Sequence, residues 1–153
     1  MSERIRFEEL ADIEGIENGA EISVEVPNSD MMPTMREFYD TVTVSKPQSP
    51  LKKNDVVVYR GSDGKPVLSR IVYVNNGTYS LSGDGQKTTD YNVADSQIIG
   101  VMISFDRKEK SISADNRYYQ YYLMLLPVVK AIYSIYFSLK TKVQDFIKFL
   151  TKR

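Results

Sequence analysis

Short runs of β-branched and apolar residues, separated by turn residues, constrain the fold of this chain most. EISVEVP alternates Ile22, Val24 and Val26 with polar residues, which is typical of a half-buried strand. DVVVYR, at residues 55–60, is the kind of run that a well-buried strand needs. GSDGKP then predicts a hairpin turn, VLSRIVYV its partner strand, and residues 98–105 a last strand. Five or six such strands predict a small antiparallel or coiled sheet, not a βαβ fold.

Helical spacing is found only towards the two ends of the chain. Phe7, Leu10, Ile13 and Ile16 share one predicted helix face. Near the other end, apolar residues recur every three or four positions, which predicts one continuous helical stripe. Its members are Val128, Ile132, Ile135, Leu139, Val143, Phe146 and Leu150. We therefore expect a β domain with a short N-terminal helix at residues 1–113 and a helical extension at residues 114–153.

The composition excludes several kinds of chemistry. The 153 residues include no His and no Cys, so no Ser-His-Asp triad, thiol nucleophile or disulfide can form. Zinc would have only oxygen ligands, which it rarely accepts, and we predict neither a metal nor a cofactor. Twenty basic residues balance twenty acidic ones, so a nucleic-acid partner is not expected. The N-terminus has no apolar signal segment, which favours a cytoplasmic location.

The C-terminal helix leaves three interpretations open. Its polar face is basic, with lysines at 130, 140, 142 and 148 against the single acid Asp145. The stripe is predicted to dock on the β domain, to form an oligomer seam, or to lie on an anionic membrane surface. A membrane span over residues 118–139 is a poorer fit, because Gln120, Pro127 and Lys130 interrupt it.

Four segments, in order, carry a resemblance to a known superfamily. They are VPNSDMMPTM, KKNDVVVYRGSDGKPVLSRIV, YSLSGDGQ and SQIIGVM, within residues 21–105. The set resembles the serine peptidases of the signal peptidase I and LexA-repressor type, and more closely the signal-peptidase branch. That likeness implies a coiled antiparallel β domain whose shallow groove binds an extended peptide as an added strand.

The resemblance also assigns the site residues, and two of them depart from the family pattern. Asp30 occupies the place of the nucleophilic serine, and Ser69 that of the general base, which is Lys or His in the family. Asp84 matches the supporting acid of the Gly-Asp-Asn box, although Gly85 replaces the asparagine. The residues expected to border the substrate groove are Met31, Met32, Pro33 and Thr34.

Loss of both dyad positions predicts a catalytically degenerate protein that binds an extended peptide or protein segment. An aspartate has an ordinary pKa of about 3.9 and places negative charge where an oxyanion would develop. Asp30 is instead expected to accept a hydrogen bond from Ser69.

Three other arrangements would retain activity: Ser29 as the nucleophile, Lys65 as the base, or Asp30 and Asp84 as a proton-sharing pair. An active serine endopeptidase with a non-standard pair, in which Ser29 or Ser69 is the nucleophile, is therefore one alternative function. A membrane-surface adaptor that acts through the basic helix is the other.

Overall fold

The computed structural model of the chain describes residues 3–12, 16 and 19–151. Nine β-strands in these residues form one sheet, and a single long α-helix follows them. The strands are β1 (Glu3–Arg4), β2 (Glu21–Glu25), β3 (Asp40–Ser45), β4 (Val56–Arg60), β5 (Pro66–Asn75), β6 (Thr78–Ser82), β7 (Asp90–Ala94), β8 (Ile98–Arg107) and β9 (Lys110–Ser113). The helix is α1 (Arg117–Thr151), and short 3-10 helices span Phe7–Asp12, Ser29–Met31 and Asp95–Gln97.

The sheet is mainly antiparallel and open. Its strand order is β1-β2-β3-β8-β4-β5-β6-β7, with β9 paired to β8. Among the described strands, only β1 and β2 are parallel. The predicted mainly β architecture with a C-terminal helix is therefore confirmed, whereas the described strands run from β1 to β7 without closing into a barrel.

Two hydrophobic clusters lie on opposite sides of this sheet. Strand β4 contributes to both, because alternate side chains of a strand point to opposite faces. Val56 and Val58 pack in the larger cluster, and Val57 and Tyr59 pack in the smaller one. All four are buried, which confirms that residues 55–60 provide a well-buried strand.

Several elements differ from the sequence predictions. Strand β7 was not predicted because its sequence, DYNVA, includes Asp and Asn and is mostly exposed. Strand β9 was missed because KSIS is short and polar. The N-terminal segment has a 3-10 helix at Phe7–Asp12 in place of the predicted helix face, of which Ile13 lies outside the described residues.

Helix α1 contacts the β domain only along its first part. Asn116 caps it, since its Oδ1 accepts hydrogen bonds from the amides of Tyr118 and Tyr119. Tyr119, Leu123 and Leu126 are buried in the larger cluster. The predicted stripe from Val128 to Leu150 remains exposed, so the interpretation that it docks on the β domain is wrong. By length and composition alone, α1 could cross a membrane.

A buried acid at the start of β3 holds two arginines. The Asp40 carboxylate accepts hydrogen bonds from Arg36 at 2.9 Å and from Arg107 at 2.8 Å, and its side chain is fully buried. Burial alone would raise the pKa of Asp40, but the hydrogen bonds from Arg107 and Arg36 hold that pKa below its ordinary value.

We predict that Asp40 makes the fold sensitive to acid. Because the pKa of Asp40 is lower in the folded state, its contribution is present above the unfolded pKa of about 3.9 and is lost as the pH falls through the folded pKa. Urea unfolding between pH 5 and pH 2 should show a steeper loss of stability in the wild type than in an Asp40→Asn variant. Parallel pH profiles of the two proteins would contradict this assignment.

Candidate functional site

The segment that resembles a nucleophile loop forms a tight turn after β2. Asn28 accepts a hydrogen bond from the Asp30 amide at 3.0 Å and so caps the 3-10 helix Ser29–Met31. The Met32 amide then bonds to the Ser29 carbonyl at 3.0 Å. Ser29 is exposed and Asp30 is half-buried. We call residues 28–35 the motif loop.

The loop that follows β6 packs backbone to backbone against the motif loop. The Gly85 amide donates to the Asp30 carbonyl oxygen at 2.8 Å. A Cβ atom on Gly83 would lie 2.4 Å from that same oxygen, and one on Gly85 would lie 2.8 Å from the Met32 carbonyl oxygen. Any side chain would therefore force the two loops apart, which explains both glycines of the SGDGQ box.

Between these glycines, Asp84 forms a buried ion pair with Arg70 of β5. The Arg70 guanidinium donates two hydrogen bonds to the Asp84 carboxylate, at 2.7 and 2.6 Å. It also donates to the Asn54 carbonyl at 2.8 Å and to the Tyr119 hydroxyl at 3.2 Å. Burial alone would lower the pKa of Arg70, but Asp84 raises it, so the guanidinium stays charged.

Thr34, near the end of the motif loop, is held from two directions. Its hydroxyl donates to the Asp84 carboxylate at 2.5 Å, and its carbonyl accepts from Arg107 at 2.6 Å. Arg107 is itself bound to Asp40. Two buried acids therefore fix the same threonine, one through its side chain and one through its backbone.

Ser69 lies in β5, directly before Arg70, and is 2% exposed. Its hydroxyl lies near that of Tyr59 on the neighbouring strand β4, and Tyr59 donates a hydrogen bond to the Asp90 carboxylate. Burial and the bond with Asp90 raise the pKa of Tyr59. Asp30 is near enough to add to this effect by its charge. Ser69 and Asp30 thus both lie near the Tyr59 hydroxyl, but no hydrogen bond joins them in the described part of the chain.

The expected hydrogen bond from Ser69 to Asp30 is therefore not found among the described residues. Tyr59 is no general base at neutral pH, since its proton is held more tightly than in free tyrosine. Asp84 does not pair with Asp30 either, because both of its oxygens already accept from Arg70.

Lys65 and the four residues predicted to border the groove differ in exposure. Lys65 is exposed in the β4–β5 turn, where the Gly61 amide donates to its carbonyl, and it lies four residues before Ser69 along the chain. Met31 and Thr34 are buried, whereas Met32 and Pro33 are half-buried. Of the four residues, only Met32 and Pro33 remain within reach of a ligand.

Helix α1 passes over the site. The Tyr122 and Thr34 hydroxyls lie 3.0 Å apart, the Lys130 Nζ donates to the Gly83 carbonyl at 3.3 Å, and Tyr133 contacts the Met32 sulfur at 4.0 Å. Beyond these contacts, a cleft of about 740 Å³ separates the helix from the loop at residues 84–87.

Sequence reasoning missed three residues that complete the site. Tyr59 lies beside the Ser69 hydroxyl and donates to Asp90, and Tyr119 accepts a hydrogen bond from the Arg70 guanidinium. Tyr59 carried a usable signal: it lies in an otherwise aliphatic strand and needs a partner for its hydroxyl when buried. Asp90 and Tyr119 carried none, because only the folded chain brings them near β5.

No protein-family model matches this chain, and no curated protein matches it either. The family resemblance therefore depends on the four sequence segments.

We predict that the Arg70–Asp84 pair is the most costly of the described polar contacts to break. Asp84→Asn leaves a buried guanidinium without its counter-charge, so the free energy of unfolding should fall by about 3–5 kcal/mol. Urea unfolding monitored by circular dichroism measures the change. Asp145→Asn, an exposed change of the same kind, is the control and should stay within about 0.5 kcal/mol of the wild type. Equal stabilities of the two variants would contradict the prediction.

Proposed function

We propose that this chain is a catalytically degenerate relative of the signal-peptidase-like serine peptidases that binds an extended polypeptide without cleaving it. The observation that carries the proposal is the state of Ser69. This hydroxyl, at the family's base position, is buried beside a tyrosine whose pKa is raised. Such a group neither accepts a proton at neutral pH nor reaches a substrate.

The position of the nucleophile supports the same conclusion. Asp30 places a carboxylate where the family has its serine, and a negative charge opposes the oxyanion that forms during amide hydrolysis. Ser29 is exposed, but within the described residues no lysine contacts its hydroxyl to activate it. Loss of a nucleophile or base in a serine hydrolase removes about six orders of magnitude of rate.

The scaffold nevertheless offers an edge to an extended partner. Strand β1 pairs only with Ile22 and Ser23 of β2, so the outer edge of β2 beyond Ser23 has no strand on it among the described residues. A cleft of about 570 Å³ follows this edge from Phe7 to Pro27 and Phe38, next to the motif loop. A peptide that adds to β2 would gain backbone hydrogen bonds there and apolar contacts with the phenylalanines and proline.

The charge of the cleft indicates the kind of peptide that it favours. Glu8, Glu9 and Glu25 line it, against the single basic residue Arg6, which is paired with Glu9. The two remaining carboxylates favour a segment that carries lysine or arginine.

We predict that peptides selected from a displayed random 12-residue library will be rich in basic residues and will remain intact after incubation with the protein. Glu25→Lys, on the proposed edge, should weaken their binding on the order of tenfold, which corresponds to about 1.4 kcal/mol. Fluorescence anisotropy measures affinity, and mass spectrometry detects cleavage. Glu109→Lys, an equal charge change in the exposed β8–β9 turn, should leave affinity unchanged.

Backbone N-methylation of a selected peptide should abolish binding, because an added strand depends on its amide groups. Peptides whose affinity is the same for Glu25→Lys and the wild type would contradict binding at β2. Cleavage by the wild type that is lost in Ser29→Ala or Ser69→Ala would instead establish an active peptidase.

A further inference from the structure

Helix α1 has two apolar faces, and only one of them contacts the β domain. Tyr119, Leu123, Leu126, Lys130 and Tyr133 follow one another at spacings of three and four residues and form the docked face. A second series begins two residues after Tyr119, which places it about 200° around the helix. Its members are Tyr121, Leu125, Val128, Ile132, Ile135, Leu139, Val143, Phe146 and Leu150, here called the outer stripe.

Every residue of the outer stripe is exposed. Each of its nine side chains is 56–62% exposed, although all of them are large and apolar. From residue 121 to residue 150 the stripe is about 44 Å long at 1.5 Å per residue. A continuous exposed apolar surface of this length marks an interaction site on a folded protein.

The charges on α1 indicate what covers the stripe. The helix has five basic residues, Arg117, Lys130, Lys140, Lys142 and Lys148, and the single acid Asp145. Four net positive charges on one helix oppose its pairing with the same helix of a second copy. They suit the negative surface potential of a membrane that contains anionic lipids.

The positions of two lysines agree with this partner. On the helix, Lys140 and Lys142 lie on opposite borders of the outer stripe, where long side chains bury their methylene groups and keep their ammonium groups in the headgroup region.

The contacts of the docked face also indicate whether α1 lies on the bilayer or crosses it. The contacts at Tyr119, Lys130 and Tyr133 fix the first half of α1 to the β domain, which leaves only residues 134–139 free before the first lysine of the tail. Six residues span about 9 Å, far less than the 30 Å of the hydrocarbon core. A crossing helix would have to bury Lys140, Lys142 and Asp145 or leave the β domain.

We propose that α1 lies in the plane of an anionic lipid bilayer, with the outer stripe inserted among the acyl chains and the β domain on its opposite side. The motif loop, which contacts the docked face through Met32, is thereby held about one helix diameter, some 10 Å, from the lipid. The peptide site proposed above would then act on segments close to a membrane surface, although attachment itself does not depend on that site.

Vesicle flotation with the full chain tests the attachment. We expect binding to phosphatidylcholine vesicles that contain 30% phosphatidylglycerol at low salt, and much weaker binding to pure phosphatidylcholine. Ile135→Gln with Leu139→Gln, which leaves the charge unchanged, should reduce binding on the order of tenfold or more. Ser134→Gln with Ser138→Gln, exposed positions outside the stripe, is the matched control and should bind as the wild type does.

Depth measurements test the orientation. The chain has no tryptophan, so Val128→Trp, Ile135→Trp and Phe146→Trp each introduce a single fluorophore. Quenching by lipids brominated at different depths should place all three at the same shallow level. A steady change in depth from 128 to 146 would show a crossing helix and overturn the proposal. Failure to bind anionic vesicles would overturn it as well, as would self-association in sedimentation that the Ile135→Gln, Leu139→Gln variant abolishes.

Discussion

The ion pair between Arg70 and Asp84 joins four parts of the molecule that are distant in sequence. Arg70 belongs to β5, and Asp84 belongs to the loop that follows β6. Thr34 of the motif loop donates to Asp84, and Tyr119 of α1 accepts from Arg70. A buried pair of this kind contributes little net stability relative to apolar packing, but it is costly to break. We therefore regard it as the contact that determines how these parts are arranged, since each of them donates to or accepts from one of its two charged groups.

In this arrangement, the residues that hold the loops in place differ from the residues at the positions where a reaction would occur. Gly83 and Gly85 allow the two loops to approach closely, and Thr34 is held by two buried acids. These contacts would be needed to present a nucleophile, but the positions that would react are Asp30 and a buried Ser69. Tyr59, which donates to Asp90, lies beside the buried hydroxyl of Ser69. We therefore propose a retained scaffold that binds a polypeptide and does not hydrolyse it.

The sequence predicted the elements that local residue patterns determine. It did not predict the elements that depend on contacts between residues distant in sequence. The β4–β5 hairpin was predictable because its strands are β-branched and its turn contains two glycines. Strand β7 was not, since it is recognised only by its pairing with β6 and by the bond between Asp90 and Tyr59. Helical spacing in the C-terminal region predicted α1 correctly, but periodicity alone does not say which face is covered. That the outer stripe faces away from the β domain became evident only from the burial of Tyr119, Leu123 and Leu126.

We propose that the groove is retained and that only the reacting groups have been replaced. The most direct measurement is hydrolysis of an unstructured peptide mixture, followed by mass spectrometry, with an Asp30→Ser, Ser69→Lys double variant. We expect cleavage by the double variant and none by the wild type or by Ser69→Lys alone, because serine and lysine restore a hydroxyl and a base at the two family positions. A double variant that folds, as judged by circular dichroism, yet cleaves nothing would contradict the claim, as would cleavage by the wild type.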